Sequence, residues 1–95
     1  MTVVWTRQAK RDLEAIYEFI AHDSHYYATE VVDSILEMEL QIAAHPTSGN
    51  MIRERMRKDI RQVRRYSYRV IYRIYSRRVD VLTVVHEKRH LVLED

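Results

Sequence analysis

The sequence predicts an α+β fold: an N-terminal strand, then an α-helical hairpin packed on a small antiparallel β-sheet, in the order β-α-α-β-β-β. Three observations carry this. Apolar residues recur at helical spacing in two stretches between Ala9 and Ile42. Strict in-out alternation takes over between Tyr68 and Val85. A single strong turn, Pro46-Thr47-Ser48-Gly49-Asn50, separates the two regimes. The 95 residues make one domain, 1–95.

Residues 2–5 are β-branched and aromatic, which predicts a short strand. Thr6 then reads as an N-cap, its hydroxyl able to accept from a first-turn N–H. Ala9, Leu13, Ile16, Tyr17 and Ile20 form the apolar stripe of a first helix that ends near Ala21 or His22. Asp23-Ser24 offers a second cap. Ala28, Val31, Val32, Ile35, Met38 and Ile42 continue as a second stripe, interrupted at Glu39. This helix ends at His45, because Pro46 disfavours helical geometry in the residue before it. Two one-sided helices joined by a few residues form a hairpin.

After the turn the pattern is sheet. Ile60 to Arg65 is a strand of weak pattern. In Tyr68 to Tyr75, Tyr68, Val70, Tyr72 and Ile74 share one face and Arg69, Ile71, Arg73 and Tyr75 the other. Ser76-Arg77-Arg78 is a tight link. Val79 to Val85 is the last strand, with Val79, Val81, Thr83 and Val85 on one face and Asp80, Leu82, Val84 and His86 on the other. Residues 91–95 read as a short tail. The expected core is Val70, Tyr72, Ile74, Val81 and Val85 against Leu13, Ile16, Ile20, Val32, Ile35 and Ile42. The open sheet face then mixes cations with apolar residues, which points to a partner-covered groove.

Charge is segregated. Residues 1–50 hold three Lys/Arg and eight Asp/Glu, a balance of −5; residues 51–95 hold thirteen and six, a balance of +7. No cysteine excludes a disulfide framework, a thiolate metal site and a thiol nucleophile, and fits a cytoplasmic location. No secretory h-region and no run of membrane-spanning length is present.

There is no glycine-rich phosphate loop, nucleophile elbow or His-Glu-x-x-His, so no cofactor and no metal are expected. His86 and His90 are four apart, but Lys88 and Arg89 between them repel a cation. Arg53, Arg55, Arg57, Lys58, Arg61, Arg64 and Arg65 form a basic segment: a surface for phosphates or an acidic partner, or a solvated strand edge. The tyrosines among them, Tyr66, Tyr68, Tyr72 and Tyr75, read first as packing residues. By alternation Arg69 and His86 fall on the same sheet face. A metal-free RNA cleavage needs a base, an acid and cations on the phosphate. A histidine is the side chain suited to such proton transfer, which singles out His86, and Arg69, Lys88 and Arg89 are the cations at hand. The reading placed ahead of cleavage is that Arg69 and His86 only bind a partner or bridge to Glu87 or Asp80.

Four landmarks in order carry a resemblance: Val4-Trp5-Thr6-x-x-Ala9-x-x-Asp12-Leu13-x-x-Ile16, His45-Pro46-x-x-Gly49, Tyr68-Arg69-Val70-Ile71-Tyr72, and Val85-His86-x-x-Arg89. Together they resemble the ParE/RelE superfamily of toxins from bacterial type II toxin–antitoxin systems. The resemblance implies the same helical hairpin on a sheet, a role in growth inhibition and plasmid stabilisation, and neutralisation by a cognate antitoxin. RelE-like members look like ribosome-dependent mRNA endonucleases; ParE-like members share the fold and poison DNA gyrase. Arg69 matches the central-strand arginine of both branches, and Lys88 or Arg89 the basic residue after the last strand. Ile60 and Gln62 stand where RelE-like chains place lysines, and Leu91-Val92-Leu93-Glu94-Asp95 lacks their late tyrosine. If the chain is a nuclease, the resemblance implies Arg69, His86, Lys88, Arg89 and Glu54 as working residues. The Trp5-Thr6 start and the long hairpin look more like ParE, which implies a gyrase inhibitor with no chemistry of its own. Under either branch Arg61, Arg65, Arg69, Ile71, Arg73, Leu82, Val84 and His86 are the expected surface for antitoxin or target. The antitoxin segment is expected to be acidic and amphipathic, with DNA gyrase or, alternatively, ribosome and mRNA as the target.

Overall fold

A computed structural model describes residues 1–89; the expected tail at 91–95, like His90, lies outside the described residues. The chain runs β1 (Thr2–Trp5), α1 (Arg7–Ala21), α2 (His25–Ala44), a 3-10 turn (Pro46–Ser48), β2 (Asn50–Met51), β3 (Ile60–Arg65), β4 (Tyr68–Ile74) and β5 (Arg78–His86). One five-stranded sheet has the order β1-β5-β4-β3-β2. The sheet is mixed: β1 lies parallel to β5, and the other pairs are antiparallel. A parallel pair needs a long crossover, and here α1, α2 and the strands β2 to β4 all lie between β1 and β5 in the chain. The two-residue β2 adds an edge that alternation is too short to reveal.

Both predicted caps form. Thr6 Oγ1 accepts from Ala9 N at 3.2 Å, and Ser24 Oγ from Tyr27 N at 3.1 Å. Glu39, the break in the second stripe, accepts from the Trp5 indole N–H at 2.7 Å and so ties α2 to β1. Leu13, Ile16, Val31, Ile35 and Ile42 pack on Val63, Val70, Tyr72, Val79, Val81 and Val84 between the two layers. Ile20, Val32 and Ile74 are partly buried against the same core.

The Pro46–Gly49 turn is fixed by Tyr72, whose hydroxyl donates to the Pro46 carbonyl at 2.6 Å. Gly49 has ordinary backbone geometry, φ −72°. Its missing side chain matters for space: a Cβ there meets the Gln62 carbonyl oxygen at 2.7 Å and collides with the Tyr72 hydroxyl.

The main departure from the expected pattern lies in β5. Ile71 pairs with Thr83, but Tyr72 pairs with Val81, so Leu82 is an extra residue in a β-bulge. The bulge inverts the faces beyond it. Val84, expected on the open face, is buried in the helix-side core, 3 % exposed. Val85, expected in that core, packs with Ile52, Ile60 and Ile71 on the opposite face. The bulge is held by the first landmark. The Thr6 hydroxyl donates to the carbonyls of Val81 (2.8 Å) and Leu82 (3.1 Å). The Asp12 carboxylate accepts from the Thr83 hydroxyl and, at 3.0 Å, from the Val84 N–H. Backbone groups that lose ladder partners at the extra residue thus find the side chains of Thr6, the α1 N-cap, and of Asp12 in α1 instead.

Candidate functional site

Cross-strand partners share a sheet face. The β3–β4 register, Ile60↔Arg73, Gln62↔Ile71 and Arg64↔Arg69, therefore sets these six residues on the face away from the helices. At one end of that face lies a cleft of about 560 Å³, walled by Arg53, Arg64, Arg69, Lys88 and Arg89 with Glu54, Gln62 and Glu87 among them. Five cations against two carboxylates leave it strongly positive. Low-dielectric walls raise the attraction of such a cleft for anions.

Arg69 is its fixed point. The side chain is buried, the residue 7 % exposed. Its Nε donates to Gln62 Oε1 at 2.7 Å, and Nη1 and Nη2 each donate to a Glu54 oxygen at 3.0 Å. This is the bidentate guanidinium–carboxylate geometry, the strongest form of ion pair in proteins. A buried guanidinium needs such a partner, because an unpaired charge at that depth carries a desolvation cost of several kcal/mol, on the order of 3–5. Arg64 reaches Glu87 only at 3.9 Å. Arg53, Lys88 and Arg89 are exposed and make no ion pair among the described residues.

Four of the sequence-predicted residues meet here: Glu54, Arg69, Lys88 and Arg89. His86 does not. It pairs with Tyr68 in register, so it lies on the helix side, with its ring edge-on to Tyr68 at 5.7 Å. Its Nδ1 accepts from the Lys88 N–H at 3.2 Å. The expectation that Arg69 and His86 share a face is corrected by the bulge at Leu82. His86 instead borders a second groove of about 420 Å³ between α1 and the strand ends, with Ile16, Phe19, Tyr68, Val84 and Arg89. Phe19 is 78 % exposed at its rim.

The expected binding surface divides accordingly. Arg61 and Arg65 pair with Tyr72 and Tyr68 and so lie on the helix side. Arg61 donates to the carbonyls of Lys58 and Gly49, at 2.9 and 3.1 Å, and braces the turn. Arg65 Nε contacts Met38 Sδ at 3.2 Å. Ile71 faces the open side but is buried under Ile52 and Ile60, and Leu82 is the half-buried bulge residue. Arg73 bonds Asp59 at 3.1 Å and stacks on Tyr75 at 4.8 Å, while Arg78 covers the same ring at 4.6 Å. Asp59 also receives Arg57, and these cations hold its carboxyl below the ordinary range, Arg57 foremost. Burial raises the phenols of Tyr68 and Tyr72, in keeping with a packing role. Arg64 and Gln62 enter the site through register alone: the tight link at Tyr66-Ser67 puts 65 opposite 68, and hence 64 opposite 69.

A family model described as the ParE toxin of type II toxin–antitoxin system, parDE, matches residues 3–91. No curated protein matches the sequence. Among solved structures, a chain of the chromosomal ParDE toxin–antitoxin system from P. aeruginosa superposes with a TM-score of 0.73 at 22 % identity, over 90 % of this chain and 95 % of that one. A chain of the toxin–antitoxin complex RelBE2 from Mycobacterium tuberculosis superposes with a TM-score of 0.68 at 25 % identity, over the same shares, 90 % and 95 %. At 22 % identity the first likeness shows the fold alone. With the match over nearly the whole chain, this chain belongs to the ParE toxin family of type II toxin–antitoxin systems.

Proposed function

We propose that the chain inhibits growth by poisoning DNA gyrase, by binding and without chemistry of its own. One observation carries this reading: no histidine stands among the cations of the cleft, and its two carboxylates, Glu54 and Glu87, each lie against an arginine. RNA cleavage without a metal needs a base and an acid within hydrogen-bond reach of a phosphate held by cations. His86 faces the helices, and both Glu54 oxygens are engaged by Arg69. What remains is a positive cleft shaped to hold a polyanion, as the DNA of a gyrase cleavage complex presents.

The antitoxin of this reading is an acidic, amphipathic segment. The apolar α1 groove, with exposed Phe19 and with Arg89 at its rim, suits a helix that carries carboxylates beside its apolar face. Beyond the Asn50↔Gln62 pair, no described strand pairs with the outer edge of β3 at Val63–Arg65, so this edge suits strand addition.

The test is parallel. Purified chain is added to gyrase with supercoiled plasmid, and to translating ribosomes with a defined message. Linearised plasmid or lost supercoiling with intact message supports the proposal. Message cut at the ribosomal A site with unaffected gyrase sinks it and establishes the endonuclease reading.

A further inference from the structure

The Glu54–Arg69 pair has a shape that nucleic acid also has. A carboxylate on a guanidinium fork and a phosphate on the same fork make the same two parallel N–H···O bonds. The third donor, Nε, is separately held by Gln62, so Arg69 keeps its aim whatever occupies Nη1 and Nη2. Glu54 belongs to the exposed turn between buried Ile52 and Asp59, which is pinned by Arg57 and Arg73. Its carboxylate is thus supplied by a loop and not by a strand of the sheet. Around the pair stand Arg53, Lys88 and Arg89, exposed and without an ion-pair partner among the described residues. The cleft, at about 560 Å³, is much larger than one phosphate group and fits a stretch of backbone.

We infer that the cleft is a phosphodiester-binding site in which Glu54 is a built-in stand-in for the ligand: it fills the Arg69 fork until a nucleic-acid phosphate takes its place. The inference deepens the proposed function and rests on reading the cleft as the DNA-facing surface. Arg53, Lys88 and Arg89 make the first, long-range contacts. Arg69 is the buried site that a phosphate reaches last, and Glu54 sets the threshold for that step. While Glu54 is in place, the Arg69 charge is neutralised and does not add to attraction for a polyanion. Removing the carboxylate's charge should therefore strengthen binding, the opposite of what loss of a merely structural ion pair does.

The test uses the full chain and a short labelled DNA duplex, followed by fluorescence anisotropy over a series of salt concentrations, without gyrase. Each phosphate contact contributes about 0.9 to the slope of log K against log salt. Lys88→Gln and Arg89→Gln are each expected to lower the slope by about 0.9. Glu54→Gln is expected to raise it by about 0.9, and to tighten binding about fivefold to tenfold near 0.1 M salt. Inorganic phosphate at matched ionic strength should barely displace the duplex; full displacement would reassign the cleft to free phosphate and overturn the backbone claim. If Glu54→Gln is folded by circular dichroism and binds no tighter than wild type, the stand-in role is wrong. Should that variant not fold, the side-chain nitrogen resonances of Arg69 in the wild-type chain decide, shifting on addition of duplex if the fork changes occupant and staying put if it does not. The gyrase reading fails separately. A chain that binds no DNA yet accumulates cleaved plasmid overturns this inference alone, and one that binds as described but spares supercoiling overturns only gyrase poisoning.

Discussion

Removing the Asp12 carboxylate tests whether the bulge clamp decides which residues face the cleft. In Asp12→Ala, the Thr83 hydroxyl and the Val84 N–H lose their shared acceptor. Thr83 is fully buried and Val84 nearly so, which leaves water little access to replace it. A buried donor left unmade costs about 1–3 kcal/mol, so two of them give about 2–6 kcal/mol. Against a total stability of about 5–15 kcal/mol for a domain of this kind, that is a large share. With a urea slope of about 1–3 kcal/mol/M, the midpoint should fall by about 1–3 M. Asp12→Asn keeps one acceptor oxygen and should cost about 1 kcal/mol. Thr83→Val removes one stranded donor, so Asp12→Ala should cost about 1 kcal/mol less in that background, a coupling the double-mutant cycle reads directly. Asp12→Ala within about 0.5 kcal/mol of wild type, with no coupling to Thr83, would refute the clamp. The functional consequence is register: β5 pairing without its extra residue turns Val84, Val85 and His86 to the opposite faces. A nuclear Overhauser contact between His86 and Tyr68 reports the register in each variant.

Gly49→Ala should destabilise by about 1–3 kcal/mol in urea unfolding, because its Cβ meets the β3 backbone, which cannot yield as a side-chain tip can. Tyr72→Phe should cost about 1 kcal/mol through the lost bond to Pro46, and should offset part of the Gly49→Ala loss by removing the hydroxyl that the new methyl strikes. The Asp59 carboxyl is held below its ordinary value of about 3.9, so its contribution is complete above that pH and is lost as pH falls through the lower folded value. Proton titration followed by NMR should give Asp59 a midpoint below that of a free aspartate, and Arg57→Gln should move it upward. Phe19→Ala should leave the urea midpoint nearly unchanged, since the ring is exposed, while weakening antitoxin binding by about 1–3 kcal/mol in calorimetry; unchanged affinity would remove the α1 groove from the antitoxin surface.

Much of this molecule is local and therefore legible in its residues. Thr6 and Ser24 announce helix starts because a hydroxyl can take a first-turn N–H, and Pro46 announces a helix end because its ring excludes helical geometry before it. The alternation of Tyr68 to Ile74 names the two faces of β4 correctly, since the pleat has period two whatever lies beside it. Glu39, which breaks an apolar stripe, is explained only by a partner 34 residues away, the Trp5 indole. Arg64 and Gln62 become site residues only through the pairing of β3 with β4, which a weak strand pattern does not specify.

The sequence by itself determined the helical hairpin, four of the five strands, the cationic character of residues 51–95, and the likeness to one toxin superfamily. Only the tertiary structure decided which cations act together. Alternation counts residues along one strand, and it is blind to an extra residue that the neighbouring strand does not match. At Leu82 that single insertion is stabilised by Thr6 and Asp12, more than seventy positions away in the chain. It turns His86 away from Arg69 and leaves Arg69 to Glu54 and Gln62.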